Sequence, residues 1–75
     1  MKRLNVKTTD CSCDRLLVIA KKLGFVNVGG RKHCKIESVD GQFITLIPRH
    51  SHLAKPTVKG ILERFNQFGG NITII

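Results

Sequence analysis

Two short basic clusters, each carrying a histidine, contain the side chains of this sequence that are best suited to chemistry. They are Arg31-Lys32-His33 and Pro48-Arg49-His50. Imidazole titrates near neutral pH, so a histidine can take the proton from a ribose 2′-hydroxyl that attacks the adjacent phosphate, or protonate the leaving oxygen. The cations of both clusters, together with Lys35, can stabilise the negative charge that builds up on the phosphorus centre. The two clusters are therefore the candidate functional site, which can bind a phosphate backbone or, with a histidine as acid or base, act on it.

His33 is the main catalytic candidate. An isolated histidine on a β-strand can also have a structural role or only contact phosphate. His50 is the second candidate. It can act as acid to the base His33, contact RNA only, lie in a solvent-exposed loop, or cap the second helix. Lys55 and Lys59 can clamp phosphate near the start of a helix or form a solvated helix face. No carboxylate cluster stands near these residues to hold Mg²⁺, which favours a metal-independent reaction without a cofactor.

The composition agrees with a nucleic-acid partner. Thirteen lysines and arginines against five acidic residues give a formal charge of +8, and such a surface attracts phosphate backbones. No apolar stretch approaches the roughly 20 residues of a membrane span, and the basic start at Met1 is not followed by the apolar core of a signal peptide. We therefore expect a single cytoplasmic domain over residues 1–75 that does not associate with membranes.

The three cysteines, Cys11, Cys13 and Cys34, favour reduced thiols. Their number is odd, and no secretion signal accompanies them. A Cys-x-Cys step departs from the usual spacing of zinc ligands, and no second ligand pair follows at the expected distance. We expect small core or helix-start residues and no metal site.

A β-hairpin should bring the two basic clusters together. Strand-like runs over 32–39 and 42–47 flank Asp40-Gly41, and this dipeptide is typical of a tight primed turn. In an antiparallel pair, the first residues of one strand lie beside the last residues of the other. Alternation places Cys34 and Ile36 inward and His33 with Lys35 outward, whereas the next strand has apolar residues on both faces.

Helical periodicity predicts an amphipathic helix on each side of this hairpin. The first runs from about Cys11 to Lys22, with capping side chains at 8–10 and a stop at Gly24. The second begins near Pro56 and ends at Gly69-Gly70. Residues 25–28 fit a short strand. Residues 2–7 fit an edge strand or an ordered arm, and residues 71–75 fit a terminal strand or a partner contact.

These elements predict an α+β two-layer sandwich with α-β-β-β-α order, similar to the double-stranded-RNA-binding domain (dsRBD). Both helices must cover one face of a three-stranded antiparallel sheet, because each has one apolar face. The opposite face of the sheet should be open.

The segment from Gly24 to Gly69 resembles the HicA family of toxin–antitoxin ribonuclease toxins. The residues that carry the resemblance are Gly24-Phe25, Gly30-Arg31-Lys32-His33, Ile47-Pro48-Arg49-His50-Ser51 and Lys55-Pro56-Thr57-Val58-Lys59-Gly60-Ile61-Leu62. HicA proteins carry Gly-Ser-His at the strand start, where only the histidine matches here. The resemblance implies a dsRBD-like fold, metal-independent mRNA cleavage and neutralisation by a HicB-like antitoxin.

A non-catalytic RNA-binding module of similar fold remains the alternative. It would use the same cations for shape and phosphate recognition, so RNA binding alone does not separate the two hypotheses. A transcription factor is disfavoured, because the sequence has no helix-turn-helix pattern.

Overall fold

The computed structural model describes residues 4–9 and 12–75. In chain order the elements are β1 (Leu4–Val6), α1 (Cys13–Lys22), β2 (Val26–Asn27), β3 (His33–Glu37), β4 (Phe43–Pro48), α2 (Lys55–Gln67) and β5 (Ile72–Ile74). Strands β2, β3 and β4 form an antiparallel sheet in that order, and β1 pairs with β5 in parallel. The predicted two helices and three-stranded antiparallel sheet are confirmed. The parallel pair joins the two predicted terminal strands, whereas the closer likeness to the dsRBD stays a prediction.

Helix α1 begins later than its sequence pattern indicated. Its N-cap is Ser12, whose Oγ accepts a hydrogen bond from the Arg15 N–H at 3.2 Å. The predicted capping role of Thr8 is wrong, because its Oγ1 and its N–H both donate to the Ile75 carbonyl, at 3.5 Å and 3.2 Å, and thus extend the β1–β5 pairing. The predictions for Asp10 and Cys11 lie outside the described residues. The predicted stop is confirmed, since Gly24 has a φ of +83° that favours glycine.

Helix α2 follows its sequence pattern closely. Its apolar stripe at i, i+3, i+4 and i+7 is buried: Val58, Ile61, Leu62 and Phe65. Pro56 lies in the first turn, where a missing N–H costs no hydrogen bond. Burying four large side chains on one face provides much of the energy that holds this helix to the sheet.

Both helices share one core with a single face of the antiparallel sheet. From the sheet, this core contains Cys34, Ile36, Ile44 and Ile47; from α1 it contains Cys13, Leu16, Ile19 and Ala20. The predicted inward face of β3 is confirmed. The arrangement is that of a two-layer α+β sandwich with its second sheet face open.

A β-bulge in β4 decides which of its apolar residues point inward. Cys34 pairs with Ile47 and Ile36 with Thr45, but Glu37 pairs with Phe43, so Ile44 is the extra residue. The bulge shifts the alternation by one position. Ile44 and Ile47 are therefore both buried, although simple period-2 alternation would place them on opposite faces.

The hairpin between β3 and β4 is present, but its turn differs from the predicted primed type. The Gly41 N–H donates to the Ser38 carbonyl at 3.0 Å, and the Ser38 N–H donates to the Gln42 carbonyl at 2.8 Å. Gly41 alone in this turn has a positive φ, +90°. This is a three-residue loop in which one left-handed glycine follows a type I turn.

The C-terminal strand β5 is a core strand. Ile72 is buried, and the Asn66 side chain of α2 binds both of its backbone groups. This supports the terminal-strand interpretation of residues 71–75. Of the helices that the structure describes, α1 and α2, neither has the length and apolar character needed to cross a membrane.

Candidate nucleic-acid interface

The hairpin register brings the two basic clusters to the same end of the sheet. His33, the first residue of β3, pairs with Pro48, the last residue of β4. One position further out, the Arg49 N–H donates to the Lys32 carbonyl at 3.2 Å. The juxtaposition predicted from the hairpin is therefore confirmed. We call residues 31–33 together with 48–50 the basic end of the sheet.

The ionisable side chains of the basic end are accessible to a large ligand. Arg31, Lys32, His33, Arg49 and His50 are all exposed. Gly30 allows the chain to enter β3 at this point. Its φ is +144°, and an added Cβ would lie 2.1 Å from the His33 carbonyl oxygen. A side chain at position 30 would therefore displace the strand start that carries His33.

The loop that carries His50 is held by its backbone. Its carbonyl accepts a hydrogen bond from the Cys13 N–H at 3.1 Å, which satisfies one of the unpaired N–H groups at the start of α1. Its own N–H donates to the Pro48 carbonyl at 2.9 Å. The His50 imidazole is thus presented from a backbone that is fixed to both β4 and α1. The sequence did not predict this contact between the loop and α1, because the contact joins two residues that are 37 positions apart.

Lys35 is less available than the other cations near the basic end. It lies on the same open sheet face as His33, as predicted, but its Nζ is 3.3 Å from Glu37 Oε2. With the lysine side chain 47% exposed, this ion pair contributes little to stability. It does offset one positive charge of the face. The i, i+2 spacing of the two residues on one strand could have indicated the pair.

The open face of the sheet also carries exposed apolar side chains on β4, namely Phe43 and Leu46. Phe43 pairs with Glu37 and Leu46 with Lys35, so the two apolar residues flank the ion pair. Phe43 lies beside Glu37 at the hairpin-turn end of β4, and its exposed ring is a surface on which a nucleobase can stack. Sequence alternation alone could not assign this role to Phe43, because the bulge determines the face.

The start of α2 forms a second cationic group. Lys55 and Lys59 are one helical turn apart, and both are exposed. The N-cap Ala54 offers no side-chain acceptor, and the first turn contains no acidic residue. Lys55 and His52 also line a 270 Å³ depression beside Thr8 and Thr9. This end of α2 therefore has the positive electrostatic character that favours phosphate.

A pair of buried thiols lies behind the basic end. Cys13 Sγ and Cys34 Sγ are 3.7 Å apart, and the side chains border a 450 Å³ cavity that Arg49 and His50 also line. Burial raises the pKa of Cys13 from its ordinary value near 9 to about 11, and its hydrogen bond to Cys34 adds to the rise. The expectation of small core residues is confirmed for these two cysteines. Their mutual contact was not predicted.

Within residues 4–9 and 12–75, no three histidine, cysteine or acidic side chains are grouped so that they could hold a metal ion. The chain matches no protein-family model, no curated protein and no solved structure. The resemblance to HicA toxins and the catalytic and RNA-binding roles of the named residues stay predictions.

Proposed function

We propose that this protein is a HicA-like endoribonuclease, the toxin of a type II toxin–antitoxin pair, that binds single-stranded RNA at the basic end of the sheet. The observation that carries the proposal is the meeting of two exposed histidine-bearing basic clusters, His33 opposite Pro48 and Arg49 beside Lys32. The formal charge of +8 supports a polyanionic substrate. The motif resemblance from Gly24 to Gly69 supports the choice of RNA cleavage.

In the proposed reaction, the His33 imidazole takes the proton of a ribose 2′-hydroxyl as its oxygen attacks the adjacent phosphorus. The bond from phosphorus to the 5′-oxygen breaks, and His50 or water protonates the leaving oxygen. The products are a 2′,3′-cyclic phosphate and a free 5′-hydroxyl. Exposed Lys32 and Arg49 stabilise the additional negative charge on the phosphate oxygens. Each step uses only the RNA, water and side chains of the basic end.

One observation favours the alternative, a non-catalytic RNA-binding module. Among the described residues, no side chain forms a hydrogen bond with the His33 imidazole. A general base is usually oriented by a third group. Under the ribonuclease proposal, the RNA itself must orient this imidazole. Under the alternative, His33 contacts phosphate without transferring a proton.

Cleavage of a fluorescent single-stranded RNA in EDTA separates the two functions. His33→Ala is compared with His52→Ala, which removes another exposed histidine that lies outside the basic end. The ribonuclease proposal predicts that His33→Ala loses about 10²–10⁴-fold in rate while it still binds RNA, and that His52→Ala retains activity. If the folded wild-type protein binds the RNA but does not cut it, the binding module replaces the ribonuclease.

The location of the RNA is tested by removing equal charge at two places. The double variant Lys32→Gln, Arg49→Gln alters the basic end, and Lys21→Gln, Lys22→Gln alters the opposite end of α1. Each lost phosphate contact should reduce the slope of log K against log salt by about 0.7 for a single strand. We expect this reduction for the first variant only. Equal losses in both variants would indicate binding by overall charge.

The proposed partner is a HicB-like antitoxin encoded by an adjacent reading frame. Induction of the toxin alone should arrest growth, and co-expression of the adjacent frame should relieve the arrest. His33→Ala is the matched control, since it should not arrest growth while it accumulates to the same level. Arrest by both forms at equal expression would contradict an RNA-cleavage origin of the toxicity.

A further inference from the structure

Two buried thiols, Cys13 and Cys34, form a pair behind the basic end. The proposed RNA cleavage does not use either of them. Cys13 is the first residue of α1, and Cys34 is the second residue of β3. Their sulfur atoms are 3.7 Å apart, which is close to van der Waals contact. To reach the roughly 2 Å of a disulfide bond, the two sulfur atoms must move about 1.7 Å closer together.

The cavity beside the pair gives a reagent access to one of the thiols. It measures 450 Å³ and is bordered by both cysteines, Arg49 and His50, a volume in the range of small-molecule pockets. Cys13 is 7% exposed and Cys34 is 1% exposed, so Cys13 is the thiol that a reagent reaches first. The guanidinium of Arg49 favours a reagent that carries carboxylates.

We propose that Cys13 and Cys34 are a thiol–disulfide pair that is oxidised by a low-molecular-weight anionic disulfide of the glutathione type. Deprotonated Cys13 attacks one sulfur of the reagent, forming a mixed disulfide and releasing one reduced thiol. Because burial raises the pKa of Cys13, this step is slow at neutral pH and becomes faster as the pH rises. The Cys34 sulfur then attacks Cys13, forming the intramolecular bond and releasing the second thiol. Two protein thiols and one reagent disulfide give one protein disulfide and two reagent thiols, so atoms and electrons balance.

The bond would connect two structural elements at the functional end of the molecule. It would tie the first residue of α1 to the residue after His33. It would also close a loop of residues 13–34, which removes conformational freedom from the unfolded chain. The oxidised protein should therefore be more stable than the reduced protein. In a reducing compartment such a bond is reversible and typical of redox sensing.

The test uses the full chain in buffers of reduced and oxidised glutathione. Free thiols are then trapped by a maleimide in denaturant, so that the buried thiols also react, and are counted by intact mass. The sequence has three cysteines. We expect three maleimide additions in the reduced protein. In the oxidised protein we expect a bridge between Cys13 and Cys34, with Cys11 carrying one maleimide or one glutathione. Cys11→Ser should retain the bridge, and Cys34→Ala should lose it. The oxidised form should melt about 10 °C higher than the reduced form.

Three results would overturn the proposal. The first is a bridge that includes Cys11. The second is a protein that remains fully reduced, or stops at the mixed glutathione adduct, in the most oxidising buffer. The third is a 13–34 bridge whose formation lowers the melting temperature, since it would show that the fold must distort to make it. All three are read on the wild-type protein and do not depend on the folding of a variant.

Discussion

Asn66 should be the polar side chain that contributes most to holding the C-terminal strand on the fold. Its Nδ2 donates to the Ile72 carbonyl at 2.9 Å, and its Oδ1 accepts from the Ile72 N–H at 2.6 Å. The amide of a single side chain thus satisfies both backbone groups of a residue that is 7% exposed. Each such bond contributes about 0.5–1.5 kcal/mol net, and an unsatisfied group near the core costs about 1–3 kcal/mol.

We expect Asn66→Ala to lower the free energy of unfolding by about 2–3 kcal/mol. A chain of this size has a total stability of about 4–11 kcal/mol, so the variant should fold but melt roughly 8–24 °C lower. Asn66→Asp keeps an acceptor for the Ile72 N–H but loses the donor to its carbonyl. We therefore expect Asn66→Asp to be destabilised as well, because it places a carboxylate against a carbonyl oxygen.

Urea unfolding followed by circular dichroism measures these differences. Glu63→Ala, an exposed position on the same helix, is the control and should lie within about 0.5 kcal/mol of wild type. Amide exchange adds a local readout, because the Ile72 N–H should lose protection in Asn66→Ala while the α2 core amides keep theirs. An Asn66→Ala variant as stable as the control would refute the account of how β5 is held.

Three further predictions concern stability. Arg64 Nε donates to the carbonyl of the bulged Ile44 at 2.9 Å, so Arg64→Met should cost about 1–2 kcal/mol in urea unfolding; no measurable change would show that water serves the carbonyl equally well. Gly60 lies inside α2 with nothing within 4 Å of an added Cβ, so Gly60→Ala should stabilise by about 0.5–1 kcal/mol, and a lower melting temperature would contradict the open surface there. In the folded protein the pKa of Cys13 is about 11, above its ordinary value near 9. Between these values the unfolded chain loses the thiol proton while the folded protein keeps it, so the free energy of unfolding falls from pH 9 towards pH 11. Wild type should lose about 2–3 kcal/mol relative to Cys13→Ala over that interval, and parallel pH profiles would exclude this linkage.

The sequence predicted the elements that depend on local periodicity. The stripe from Val58 to Phe65 and the inward pair Cys34 and Ile36 are where their spacing indicated. The basic end was also predicted, because antiparallel register follows from the position of a hairpin turn. Features that depend on local sequence and on simple strand-pairing rules could therefore be predicted from the sequence.

The remaining features arise from contacts between distant residues or from irregular backbone. The bulge at Ile44 shifts the alternation of β4, and only its partner strand reveals it. The Cys13–Cys34 contact and the pairing of β1 with β5 join positions far apart in the chain. The true N-cap, Ser12, was overlooked because three other capping residues precede it. The roles of the site residues are inferred from their chemistry and from the motif resemblance.

The most direct test of the proposed 2′-hydroxyl attack, with His33 as its base, is cleavage of two RNAs that differ by one oxygen atom. The first is a single-stranded RNA with its cleavage site mapped, and the second carries 2′-deoxyribose at the scissile nucleotide only. We expect wild-type protein in EDTA to cut the first RNA at that position, leaving a 2′,3′-cyclic phosphate. It should not cut the second RNA there, although it should bind both equally. Equal cleavage of the two RNAs at that position would contradict attack by the 2′-hydroxyl and, with it, the proposed role of His33.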